Sequence, residues 1–413
     1  MSNKKANFAL MQTPNKHSQF EFIALMASLM SVVALAIDAL LPALDVIGVA
    51  IGTKQAVDNQ LLIIMIFLGL GIGPLLFGPL SDSVGRKPSV YLGFIVFIIA
   101  SVICVYAQSL EVMVAGRILQ GVGLSAPRTI CIAIIRDLYS GDYMARIMSF
   151  VTVVFLLVPI IAPALGKWIL DHYNWEAIFY VQVGISVIIS LWFWLRQRET
   201  LTEEKQIPFT FKRLYLGLKE ILQHRQTMGY TIISGFVVGS FMVYLSASQQ
   251  IFDSQYGLKD EFPYIFAGLA IAIGAAISLN GILVVRLGME KLVTTSLLAF
   301  FVISMVYVVL YYSGNNPSIY ILLTFFALQF FAIGFLFGNL RALAMEPVGH
   351  IAGIAAAITG LISTLMAVPI STFVGRFLEA STLPIFIGFA VCSGISILVL
   401  WAVKGRNQAS TKA

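Results

Sequence analysis

Two ionisable side chains stand where apolar sequence surrounds them on both sides. Asp38 lies inside an apolar run covering 20–44, and Arg117 lies inside another covering 110–137, with Gln120 one helical turn further on. A charge at the centre of such a run costs about 2.5–3.5 kcal/mol on insertion scales, so an acid kept there is a functional candidate by default. Removing a carboxyl from water favours its protonated form, which makes Asp38 the residue to expect in proton exchange. At a rise of 1.5 Å per residue, Asp38 lies roughly 9 Å in from the end of its run and Arg117 roughly 10 Å in from the same membrane face. The matched depth leaves two readings of Arg117. It communicates with Asp38, directly or through Gln120, or it ties helices together through backbone carbonyls. Direct attraction of a cationic ligand is the other role open to Asp38.

Other chemistry is missing. Gly69-Leu70-Gly71-Ile72-Gly73 sits inside an apolar run, not after a strand, and is expected to serve helix packing instead of nucleotide binding. No Gly-x-x-x-x-Gly-Lys-Ser/Thr phosphate loop occurs, so an ATP-driven pump is not expected. His17, His172, His224 and His350 are too scattered for a metal site. No cofactor and no metal are expected.

The elements that must position these residues follow from composition. Of 413 residues, 59% are hydrophobic and 11% charged, with a mean hydropathy of +0.91. A soluble domain has about 25% charged residues. A soluble enzyme, a disordered chain and a disulfide scaffold are all excluded, since Cys104, Cys131 and Cys392 are scattered in apolar runs. A spanning helix needs about 20 mostly apolar residues. Uncharged runs of that order cover 60–81, 88–110, 147–166, 177–195, 226–252, 262–285, 347–375 and 380–403. The longer run 292–340 is divided by the turn-forming Ser313-Gly314-Asn315-Asn316-Pro317. With the two charge-bearing runs, the second of which also holds Arg128, the expectation is 12 transmembrane helices. The runs do not alternate apolar and polar, so a barrel is excluded.

Basic residues orient the spans. With the N-terminus in the cytoplasm, twenty of the 26 Lys and Arg fall in cytoplasmic segments, among them Lys4, Lys5, Lys16 and Lys412, and four fall outside. The net charge of +6 is then a topology signal and gives no reason to expect nucleic acid as a partner. The first apolar run is long and shows no small-residue cleavage site, so it is expected to be the first span and not a cleaved signal peptide. The longest polar segment divides the chain into 1–195, a linker 196–226 and 227–413. Within the linker, 209–225 places Phe211, Leu214, Leu218, Ile221 and Leu222 on one helical face, as an interfacial helix or a helical tether would. The halves echo one another: Gly78, Leu80 and Gly85 recur as Gly281, Leu283 and Gly288, each 203 positions on. Duplicated transporter halves give such similarity.

The loop after the second span reads Gly78-Pro79-Leu80-Ser81-Asp82-Ser83-Val84-Gly85-Arg86-Lys87-Pro88. It resembles the signature loop of the major facilitator superfamily, G-x-L-a-D-r-x-G-R-[KR], with Ser83 at one basic position. Arg117-Ile118-Leu119-Gln120-Gly121-Val122-Gly123 resembles the R-x-x-Q-G-x-G signature of span four. Ala162-Pro163-Ala164-Leu165-Gly166-Lys167 is similar to the antiporter motif G-P-x-x-G-G, with Ala162 and Lys167 in place of two glycines. Asp38-Ala39-Leu40-Leu41-Pro42-Ala43-Leu44, Ile135-Arg136-Asp137-Leu138-Tyr139, Trp175-Glu176-Ala177-Ile178-Phe179 and Gly349-His350-Ile351-Ala352-Gly353 resemble runs of Bcr/CflA-type drug:proton antiporters.

The resemblance implies an all-α membrane protein with two six-helix bundles around a midplane cavity lined by spans one and four. It implies proton-driven efflux of chloramphenicol-like or cationic lipophilic compounds across a bacterial inner membrane, with both termini cytoplasmic. It also implies that Asp82 faces the N-terminus of span eleven near 349–353, where the helix dipole favours an anion. Arg86 would bridge Asp82 and Asp137 in a cytoplasmic latch, with Gly78 and Gly85 allowing tight backbone approach. Pro159, Pro163 and Gly166 would form a hinge in span five. In the second half Phe241, Tyr244, Phe325, Phe326, Phe330 and Phe331 suit apolar or cationic ligands, Tyr244 first among them. Arg341 and Glu346 are expected at the gate. The expected partners are a small molecule, protons and the bilayer, for a monomer. A transporter of a sugar, amino acid or nucleoside, or a non-transporting receptor, are the other classes open.

Overall fold

A backbone inside hydrocarbon must satisfy its own hydrogen bonds, so uncharged apolar runs of this length become helices. The computed structural model describes residues 19–410 except 209 and 379. Phe209, the expected start of the linker helix, and Lys4, Lys5, Lys16 and Lys412 lie outside the described residues. Eleven stretches are long and apolar enough to cross a membrane, and the longest, Ile319–Gly375, breaks at Glu346–Ile351, where Val348 leaves helical geometry. The first bundle holds α1 (Gln19–Asp38), α2 (Leu61–Val84), α3 (Arg86–Val105), α4 (Leu110–Leu138), α5 (Gly141–His172) and α6 (Glu176–Arg196). The second holds α7 (Arg225–Gln250), α8 (Phe262–Leu287), α9 (Met289–Leu310), α10 (Ile319–Met345), α11 (Ala352–Gly375) and α12 (Leu383–Ser410). The chain is an all-α membrane protein of twelve transmembrane helices in two six-helix bundles. The turn expected between the ninth and tenth spans falls there, with Gly314 at φ +83°.

The first span departs from expectation. Helix α1 stops at Asp38, a single 3-10 turn follows at Leu41–Ala43, and a short helix Leu44–Ala50 completes the crossing. Pro42 explains the break. It lacks the N–H that would bond the Asp38 carbonyl, and its ring crowds that carbonyl. The span therefore reaches Ala50, which puts Asp38 about 18 Å from its end instead of 9 Å. Helix α5 runs unbroken through Pro159 and Pro163. It packs onto the break through Gly166, where an added Cβ would lie 1.9 Å from the Ala39 carbonyl oxygen. A side chain at Gly166 would push directly on the segment that follows Asp38.

Glycine also sets the closeness of α2 and α4. A Cβ at Gly69 would meet the Ile118 carbonyl at 2.0 Å, and one at Gly121 would meet the Ile66 carbonyl at 2.0 Å. The Gly69–Gly73 run thus serves helix packing. Gly85 and Gly288, the two glycines that end α2 and α8, have φ of +110° and +80°, a region that L side chains avoid. Their repetition after 203 residues marks the same turn in each half.

The bundles touch along α2–α11 and α5–α8. At the end away from the linker, polar bonds join them. Gln60 Nε2 donates to Gln250 Oε1 at 2.9 Å, Gln249 Nε2 to Asp45 Oδ2 at 2.9 Å, and Lys167 pairs with Asp260 at 2.9 Å. The Lys167 ammonium holds the Asp260 carboxyl below the usual carboxylate range. The pair persists at neutral pH, though Asp260 is exposed and the bond is screened. At the linker end, no hydrogen bond or ion pair joins one bundle directly to the other among the described residues. Among the described residues, direct polar bonds between the bundles are thus confined to the far end, and at the linker end Leu75 of α2 packs on the apolar cluster of Ile221, Val348, Ala355 and Ile358.

The linker is shared between the bundles. Its first part stays with the first bundle, where the Ile207 N–H donates to the Asp82 carbonyl at 2.9 Å. Its helix, Phe211–Gln223, packs on α11, with Ile221 buried and Gly217 against Ile354. Glu220 meets His350 at 2.6 Å. Phe211, Tyr215, Leu218 and Leu222 remain exposed along one stripe, so the apolar face expected for this helix divides between α11 and the surroundings.

Candidate functional site

The break in α1 places Asp38 between the bundles. The residue is 5% exposed, and its carboxyl makes no hydrogen bond or ion pair with any described residue. The Tyr244 hydroxyl of α7 lies within electrostatic range of it. That hydroxyl is buried and also lacks a hydrogen-bond partner. Two unpartnered polar groups, one from each bundle, therefore share the apolar centre. Buried polar groups are almost always bonded, and a pair left open at a bundle interface is a place for a proton or a ligand.

Arg117 is fully buried and is satisfied elsewhere. Its Nε donates to the Leu62 carbonyl at 2.7 Å, one terminal nitrogen to Gln120 Oε1 at 2.7 Å, and the other to the Ala36 carbonyl at 3.1 Å. No bond joins Arg117 to Asp38 among the described residues. Of the two roles open to Arg117, the geometry has the tie through carbonyls. The Ala36 bond has a further meaning. The last carbonyls of a helix lack intrahelical partners, and a cation suits that end. Arg117 caps α1 two residues before Asp38, so it acts on the acid through backbone. Gln120 passes the chain on, donating to Ser101 Oγ at 2.7 Å.

The second half repeats this unit in altered form. Ser304, 203 residues after Ser101, accepts from Gln329 Nε2 at 2.6 Å. Three residues before that glutamine, where the first half has Arg117, stands Phe326. The Gln329 Oε1 atom is left without a partner. Where the first bundle holds a buried cation, the second holds an aromatic cluster. Tyr244 meets Phe330 at 4.5 Å and Phe326 at 5.1 Å between ring centroids, and Phe241 packs on Phe330 at 5.9 Å. Phe325 turns away to pack on Tyr307 and Phe386, and Phe331, itself exposed, pairs with the buried Phe335. Of the six aromatics, four come together.

Asp82, Arg86 and Asp137 meet at the linker end of the first bundle. Arg86 is buried, pairs with Asp82, and donates its Nε to Asp137 Oδ2 at 2.9 Å. No bond from Asp82 to 349–353 is present among the described residues. An added Cβ at Gly78, Gly349 or Gly353 would meet nothing within 4 Å. Gly78 therefore makes no close approach here, because α2 and α11 have parted at this level. Gly85 is required for its backbone turn. Sequence reasoning missed Glu199, which accepts from the N–H groups of Arg86 at 3.0 Å and Lys87 at 2.9 Å. A carboxylate at the start of α3 satisfies donors that a helix leaves open. The signal available was an acid just after α6, beside a loop whose glycine already marked a helix start.

Twelve helices in two bundles, meeting around Asp38 and Tyr244 and bonded to each other across the far end, make a membrane transporter of small molecules, not an enzyme. The chain belongs to the Major Facilitator Superfamily, whose profile matches residues 24–371. It is 30% identical to the MFS-type transporter YdgK of Bacillus subtilis over 76% of this chain and 79% of that one. It is 26% identical to a bicyclomycin resistance protein homolog of Haemophilus influenzae over 83% and 86%. It is 26% identical to the multidrug resistance protein MdtL of Salmonella paratyphi A over 82% and 84%. Among solved structures, the D-xylose-proton symporter has the same fold at a TM-score of 0.71 and 15% identity, covering 93% of this chain and 97% of that one. The human organic anion transporter MFSD10 matches at 0.65 and 17%, covering 93% and 99%.

Proposed function

We propose that this chain is a proton-coupled exporter of small lipophilic drugs or antibiotics, chloramphenicol-like or cationic, in a bacterial inner membrane. The observation that carries this is the unpartnered Asp38 carboxyl within electrostatic range of the unpartnered Tyr244 hydroxyl, between two bundles whose direct polar bonds among the described residues lie at the far end. A carboxyl without water or a counter-ion favours its protonated form. A compound entering from the linker end, the cytoplasmic side by the basic-residue pattern, settles on Phe241, Tyr244, Phe326 and Phe330 and releases the proton from Asp38. The bundles, 1–195 and 227–413, then rock about the α2–α11 and α5–α8 contacts, with the linker 196–226 allowing the motion. The far-end bonds part, and the compound leaves outward. A proton from outside reloads Asp38. The break in α1, held by Arg117 and by Gly166 of α5, gives that helix a joint at its acid; Pro159 and Pro163 give α5 its shape. Drug-resistance names among the similar bacterial chains support the substrate class. No cofactor enters the cycle, and a monomer suffices.

Everted membrane vesicles from an exporter-deficient host test this. An inwardly acidic gradient should drive uptake of radiolabelled chloramphenicol or of rhodamine 6G, and an uncoupler should abolish it. Uptake equal to that of vesicles lacking the protein, for every compound of a broad drug panel, would rule the reading out.

The Asp82–Arg86–Asp137 cluster serves the opposite state. As the linker end closes, the Asp82 carboxylate, already 42% exposed, docks at the N-terminus of α11, and Gly78 comes into contact with that helix. Asp82→Asn removes the anion from the dipole, a loss of about 0.3–1 kcal/mol. A cysteine placed at Gly353 should then be labelled faster by a membrane-impermeant maleimide applied from the linker side. Unchanged labelling would count against the latch.

A further inference from the structure

One surface stands outside the transport scheme. The linker helix Phe211–Gln223 packs on one side and leaves an apolar stripe uncovered on another. At about 100° per residue, Phe211, Tyr215, Leu218 and Leu222 fall within about 60° of one another. The buried Gly217 and Ile221 lie about 110° to one side of that stripe, and Lys212 and Lys219 about 80° to the other. Arg213 and Glu220 lie opposite it.

The roll of this helix is fixed. An added Cβ at Gly217 would lie 2.7 Å from Ile354 Cγ2, Ile221 is buried with Val348, Ala355 and Ile358, and Glu220 meets His350 at 2.6 Å. The stripe cannot turn inward without giving up these contacts. The depth is fixed too. Ile358 lies six residues into α11, about 9 Å from its start. Helix α7 starts at Arg225, two residues after the linker helix ends. Both neighbours cross the bilayer, so the linker helix lies at its surface and not in the water beyond.

Charge chooses among lipids at that surface. Glu220 is the only acid of the helix and is held by His350. The side chains of Lys212 and Lys219 are exposed two turns apart on one side, and they bond to no described residue. Lysine stems lie along apolar surface and carry their ammonium groups to headgroup level. Anionic headgroups attract each such cation there.

We propose that the linker helix is a docking surface for anionic phospholipid. Its stripe enters the acyl boundary of the linker-side leaflet, as interfacial helices do, and Lys212 with Lys219 selects headgroups of net negative charge. The proposal goes beyond the export reading and does not depend on it, since it needs neither cargo nor gradient.

The test uses the purified full-length protein in phosphatidylcholine nanodiscs. A fluorophore is attached at Leu218→Cys, the native Cys104, Cys131 and Cys392 being buried. It is quenched by lipids that carry a nitroxide on the acyl chain near the headgroup. Half-maximal quenching should need about fivefold less nitroxide phosphatidylglycerol than nitroxide phosphatidylcholine. Lys212→Gln with Lys219→Gln should bring the two lipids level and keep the wild-type unfolding temperature, since neither lysine holds another residue in place. Lys212→Arg with Lys219→Arg should preserve the difference. The same fluorophore at Arg213→Cys, opposite the stripe, should escape quenching. A fluorophore at Leu218→Cys that neither lipid quenches overturns the proposal and assigns the stripe to a protein partner or to water. Equal quenching by the two lipids with both lysines in place also overturns it, as does a phosphatidylglycerol preference that survives the double glutamine change.

Discussion

Asp38→Asn abolishes gradient-driven uptake into everted vesicles and weakens drug binding by the purified protein about tenfold without abolishing it, a shift of about 1.4 kcal/mol. Asparagine keeps the size of a protonated carboxyl and cannot release the proton. The variant is therefore a permanent copy of the loaded state. Asp38 makes no bond whose loss would unfold α1, so the fold should tolerate the change and the defect should lie in coupling. Transport in the variant at the wild-type rate, with the same response to the gradient, would remove Asp38 from the cycle.

Arg117→Ala acts through structure. It leaves the Leu62 and Ala36 carbonyls and the Gln120 side-chain oxygen short of a donor. Each buried acceptor left open costs about 1–3 kcal/mol, and the emptied volume adds a cavity cost. The unfolding midpoint in detergent should fall by roughly 5 °C or more. Arg117→Lys should not restore it, because a single ammonium cannot reach three acceptors on α1, α2 and α4 in the directions the guanidinium fork does. Gln120→Ala should lower the midpoint less, since Ser101 keeps its bond to the Phe97 carbonyl. A midpoint within 1 °C of wild type for Arg117→Ala would show that the three bonds do not hold the α1 end. The Asp38 and Arg117 variants thus separate a residue that carries charge from one that positions it.

Much of the architecture is legible in the sequence because lipid leaves few alternatives. Uncharged runs of about 20 residues must be helices, and Ser313–Pro317 divides a run that no single helix could use. The centre of the molecule is harder to see. Pro42 is visible in Asp38–Leu44, but only the folded chain shows that the ring ends α1 at the acid itself and carries the span on to Ala50. The expected match in depth between Asp38 and Arg117 fails once the span extends to Ala50, yet Arg117 does reach α1, at the carbonyl of Ala36 and not at the carboxyl. Hydrogen-bond choice between a backbone and a side chain two residues apart depends on angles that spacing does not contain. The echo between halves was legible in the loops at Gly85 and Gly288. Continued into the spans at the same offset it also finds Ser101 and Ser304, and with them the glutamines that bind them. Glu199 stands in no periodic pattern. The N–H groups it accepts from belong to Arg86 and Lys87, more than a hundred residues earlier, and only the packed bundle brings them together.

Proton release on drug binding tests the central claim most directly. The purified protein, in weakly buffered detergent solution near neutral pH with a soluble pH indicator, receives a saturating dose of a compound it exports. Acidification by up to one proton per protein is expected from the wild type and none from Asp38→Asn. No proton release from wild type at any pH between 6 and 8, or equal release from both proteins, would contradict the exchange of a proton for cargo at Asp38.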